Sequence, residues 1–110
     1  MVEDVDPDWK LKLRYGQMKT EFQPFSLIAE GRVVTPSADY ETSLGPAFMG
    51  MKAWALDDEQ AFDMIAVIGK QVGFEVTGRI QLYETDPKEP PKSDTPFGYN
   101  IKFTPFDDGA

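Results

Sequence analysis

The chain has 110 residues, enough for one domain and little more, and its 19 acidic against 11 basic side chains give a net charge of −8. It contains no Cys and no His, which excludes disulfides, thiol nucleophiles, thiolate zinc sites and any imidazole base, ligand or pH switch. Eight Phe, four Tyr and two Trp supply the bulk of one core, so the chain is expected to fold despite its charge.

Residues 1–8 read as an acidic, solvated lead-in, the opposite of the basic start of a secretory signal. No apolar run has membrane-spanning length, and the expected location is cytoplasmic. Trp9, Leu11, Leu13 and Tyr15 then alternate with Lys10, Lys12 and Arg14. This period of two predicts a half-buried strand, ended by Gly16 or by the stretch up to Pro24. A second strand is expected over 25–34, with Phe25, Leu27 and Ala29 inward and Gly31 marking a bulge that frees Val33 and Val34 from the alternation. Residues 35–39 are turn-like. Residues 40–50 carry no clear period, Gly45-Pro46 reads as a break, and 51–56 as a short strand.

The helix is the clearest local signal. Asp57 can cap it and Gln60 follows three residues on, as in a capping box. Asp58 and Glu59 occupy the first turn, where the macrodipole favours negative charge. Ala61, Ile65, Ile68 and Val72 recur at helical spacing, and Phe62 and Met64 widen the apolar face. Gly73 supplies the stop, and the internal Gly69 is explained by close packing on a sheet. The period then returns to two. Phe74, Val76, Ile80 and Leu82 face one way, with Gly78 among them leaving room for a bulky neighbour. Glu75, Thr77, Arg79, Gln81 and Tyr83 face the other. Residues 85–96 form a proline-rich polar loop, too long for a tight hairpin. Residues 98–104 are the last strand, with Tyr99, Ile101 and Phe103 inward, and 107–110 a polar tail.

The predicted fold is therefore α+β: one domain over 1–110, with a single antiparallel sheet of about four to five strands and one helix, about 57–72, on one face. The other face meets solvent or a partner. On this reading Lys10, Lys12, Arg14, Arg79, Tyr83 and Lys102 share that outer face, a basic surface with an acidic periphery. The bland account is edge protection and cross-strand pairing.

No residue pattern points to a catalytic centre, a cofactor or a metal. Asp57, Asp58 and Glu59 are explained by helix capping, and Glu84, Asp86 and Glu89 lack the spacing of a calcium loop. No Ser has a base at motif spacing, and Gly45–Gly50 is no phosphate loop. The first expectation is a non-enzymatic protein-binding or regulatory module, of immunity or inhibitor type with a basic partner, or self-associating. Nucleic acid and membrane are disfavoured by charge. The alternatives are a small-ligand protein or carboxylate enzyme with a pocket between sheet and helix, and a structural accessory domain.

Overall fold

The computed structural model of the chain describes residues 8–15, 20–92 and 95–106. The lead-in through residue 7, the strand end expected at Gly16 and the tail from 107 lie outside the described residues. The elements run α1 (Trp9–Arg14), β1 (Gln23–Val33), β2 (Gly45–Ala55), α2 (Asp58–Gln71), β3 (Phe74–Glu84) and β4 (Phe97–Pro105). One open antiparallel sheet has the order β3-β1-β2-β4, so the fold is α+β as the pattern predicts. Among the described residues no helix is long and apolar enough to cross a membrane.

β1 and β2 pair without a register shift from Gln23↔Ala55 to Val33↔Gly45. Their alternation is strict. Phe25, Leu27, Ala29 and Val33 of β1, with Ala47, Met49, Met51, Ala53 and Ala55 of β2, are buried on the face that α2 covers. Small side chains set the approach: Ala29, Ala53, Ala55 and Ala61 are fully inaccessible, and Met49, Ile65 and Phe74 fill the space between them. Each such large side chain contributes roughly 1.5–3 kcal/mol on burial. At Gly69 an added Cβ would lie 3.2 Å from the Phe74 ring, which is the close packing the sequence requires of that glycine.

The capping box is present, shifted by one residue at its return arm. Asp57 Oδ1 accepts from the Gln60 amide at 2.8 Å, while Gln60 Oε1 accepts from the Leu56 amide at 2.7 Å. Gly73, at φ 89, ends α2, and its carbonyl accepts from the amides of Val34 and Thr35. The helix stop is thereby tied to the end of β1.

Four expectations change. Residues 9–14 are a helix, so Lys10, Lys12 and Arg14 do not lie on a strand of the sheet. Trp9 and Leu13, four apart, stack on one side and join Phe22, Trp54, Phe97 and Tyr99 in a second cluster. Leu11 and Tyr15, which strand phase would bury, are 49% and 70% exposed. Next, β2 begins at Gly45 rather than at Met51; Gly45-Pro46 opens the strand instead of breaking it, as proline tolerates near a strand start.

Third, Tyr99 does not point toward α2. Asn100, at φ 56, makes a bulge against β2 between Gly50 and Lys52. That extra residue puts Phe97 and Tyr99 on the outer face and leaves Ile101 and Phe103 on the helix face. Fourth, Gly31 keeps the alternation on β1. The irregularity lies in β3, where Ala29 pairs Ile80 but Gly31 pairs Val76. Gly78 sits in that bulge, and the side chain nearest it is Glu30, not one from the helix.

Candidate functional site

α2 covers one face of the sheet, and among the described residues no polar or charged side chain is buried. The layer between sheet and helix is apolar, and beside α2 a groove of about 380 Å³ is lined by Gln60, Asp63, Met64, Val67, Ile68 and Phe97. The outer face divides into two halves.

At one end, the row Pro24–Trp54–Phe97 is covered by α1, by Phe22 and by the described part of the proline-rich loop, residues 85–92. This loop is long because it joins β3 and β4, the two opposite edges of the sheet. It is tied down along its length, from the Thr85 amide on the Pro24 carbonyl to the Lys92 ammonium over the Phe97 ring. Trp54 Nε1 donates to the Glu89 carbonyl at 2.7 Å, the Lys88 amide donates to Tyr99 Oη at 3.0 Å, and Lys10 Nζ reaches Asp86 at 3.2 Å. A groove of about 370 Å³ remains between α1 and this loop, floored by Leu13, Phe22 and Trp54 and flanked by Lys10, Arg14 and Asp86.

The other half is bare. Its rows follow from the register: Gln81–Ile28–Gly50–Lys102, then Glu30–Phe48–Thr104, then Glu75–Arg32–Pro46. A hollow of about 270 Å³ opens between Ile28, Glu30, Phe48, Arg79 and Gln81. Phe48 stacks on Phe106 with centroids 4.5 Å apart. Tyr83 Oη donates to Gln81 Oε1 at 2.7 Å, and Lys52 Nζ donates to Ser26 Oγ at 2.8 Å.

The predicted contact residues therefore separate. Arg79 and Lys102 lie on the bare half, and Tyr83 stands at its border, in the row Tyr83–Ser26–Lys52–Tyr99. Lys10 and Arg14 flank the groove at the covered end, Lys10 already paired with Asp86, and Lys12 sits on α1 half-buried. Sequence reasoning missed Ile28, Phe48, Arg32, Lys52 and Gly50. Ile28 carried a usable signal, an apolar residue out of phase in a strand whose odd positions point inward. Phe48 and Gly50 had none, because residues 40–50 showed no period.

Both sheet edges are interrupted, β3 by its bulge opposite Glu30 and β4 by the bulge at Asn100. Bulged edges accept an added strand poorly. Among the described residues no group of three or more acidic side chains is placed to hold a metal ion. No family model, curated protein or solved structure matches the chain.

Proposed function

We propose that the protein is a non-enzymatic binding module that docks a protein partner on the bare half of its sheet. The observation that carries this reading is the exposure of Ile28, Phe48 and Tyr83, at 40%, 37% and 49%, beside Arg32, Arg79 and Lys102 in a chain of net charge −8. Exposed aromatic and aliphatic groups with arginine at their border have the composition of an interface core. The net charge repels nucleic acid and anionic membranes at long range. It draws in a protein of basic overall charge, and the docking face asks of that protein a local acidic segment.

Capture from native lysate, by the wild type and by the R79E/K102E variant, tests this. The expected result is a protein held by the wild type and lost from a variant that melts normally. Equal retention by both would remove the bare half as the docking face, and no retained protein would sink the reading. Self-association through this face is disfavoured. Arg32, Lys52, Arg79 and Lys102 of one copy would find only Glu30 and Glu75 on the other. Light scattering behind a sizing column is expected to report a monomer at low and at high salt. A dimer that salt dissociates would reverse that expectation.

A further inference from the structure

We infer that the groove between α1 and the proline-rich loop is a binding site for a small aromatic carboxylate. It lies at the covered end of the sheet and stands apart from the docking face proposed above.

The groove is preformed. Its floor is Leu13, Phe22 and Trp54, and Pro24 and Pro87 add apolar sides. Phe22 and Trp54 are buried, so the floor is held from below. One wall is stiffened by bonds that bracket Asp86 and Pro87. The Thr85 amide donates to the Pro24 carbonyl, the Lys88 amide to Tyr99 Oη, and the Glu89 carbonyl receives Trp54 Nε1. The other wall is α1, where Lys10, Leu13 and Arg14 fall on one face at i, i+3 and i+4. A volume of about 370 Å³ stands at the small end of small-molecule sites, which run from about 300 to 1,000 Å³ and join an apolar lining to a few polar groups.

The free polar groups decide the ligand. Asp86, the one carboxylate of the lining, is taken by Lys10 at 3.2 Å. Arg14 has no hydrogen bond or ion pair among the described residues. Thr20 Oγ1 accepts from the Phe22 amide at 3.1 Å, which leaves the hydroxyl hydrogen to donate. The indole N–H is spent on the Glu89 carbonyl. The side-chain capacity left over is all donor, and the charge left over is one guanidinium. A carboxylate matches both. It accepts two parallel bonds from arginine, and it balances one positive charge where a phosphate monoester would bring nearly two negative ones. The body of the ligand meets the rings of Phe22 and Trp54 and the Leu13 side chain, against which a flat aromatic system packs. The net charge of −8 opposes any anion at a distance, but salt screens it beyond about 8 Å. Within the groove Lys10 and Arg14 face the single carboxylate of Asp86.

The test is a titration of the isotope-labelled full chain with naphthoate, naphthamide and naphthylmethylamine, followed by amide shifts and by the unfolding midpoint. Naphthoate is expected to bind with a submillimolar Kd, to shift residues around 10–14, 20–22, 54 and 86, and to raise the midpoint. The amide and the amine are expected to bind about tenfold more weakly or less well still. Arg14→Gln changes an exposed side chain outside the core, so the variant is expected to melt as the wild type does. It should weaken naphthoate about tenfold and leave naphthamide unchanged. R79E/K102E should bind naphthoate as the wild type does. Any of four results would overturn the site: no binding of naphthoate at millimolar concentration, naphthoate bound no tighter than naphthamide, shifts centred elsewhere, or the same preference for the acid in Arg14→Gln. Loss of naphthoate from R79E/K102E would likewise move the ligand off the groove.

Discussion

Trp54 and Phe48 are aromatic residues of one strand, on one face, about 20 Å apart, yet Trp54 is 2% exposed and Phe48 37%. The strand is regular between them, so the difference is made elsewhere. α1, Phe22 and residues 85–92 come from outside the sheet and cover one end of it. At the other end Phe106, just past β4, stacks on Phe48 and still leaves it 37% exposed. Coverage, rather than residue type, separates a second core from an exposed surface on this face.

The largest expected effect breaks the comparison at its covered end. Trp54→Ala removes the indole that α1, Phe22 and the Glu89 carbonyl all touch, and is expected to cost about 3–5 kcal/mol in chemical denaturation. Phe48→Ala, the matched change at the bare end, is expected to cost about 1 kcal/mol or less. Similar costs at both sites would mean that the bare half is structural after all. Tyr99→Phe is smaller: it takes away the oxygen that receives the Lys88 amide, for about 0.5–1.5 kcal/mol, and should raise hydrogen exchange at Lys88 before anywhere else. The smallest effect belongs to the Lys10–Asp86 pair, whose side chains are 42% and 71% exposed. A double-mutant cycle is expected to give at most about 0.5 kcal/mol, vanishing in high salt. A larger coupling would show that α1 is held by charge and not by Trp9 and Leu13.

The sheet with its covering helix was legible wherever one period ran long enough. The α2 boundaries followed from Asp57, Gln60 and Gly73, each acting within one turn of chain. Residues 9–15 were not legible, because in so short a window Trp9 and Leu13 satisfy both a period of two and a spacing of four. Packing on Trp54, far along the chain, decides between them. The full extent of β2 was hidden by Gly45, Pro46 and Gly50, punctuation that tertiary pairing overrides. Tyr99 was misplaced by a single bulged residue, which turns every position before it to the other face. Of the proposed contact surface, Arg79, Tyr83 and Lys102 could be read from strand phase. Their neighbours Ile28, Phe48 and Gly50 needed the strand order, which no local pattern encodes.

That strand order has a kinetic side. β1 and β2 are each hydrogen-bonded along both edges, whereas β3 and β4 each have one neighbour. Local opening therefore starts from the outer strands, and the central pair exchanges its amides last. The row Gln81–Ile28–Gly50–Lys102 touches every strand once. A partner laid along it would staple the two strands that fray first to the two that fray last. Its arrival should be recorded as protection of β3 and β4 amides, including those on the outer rims that it never contacts.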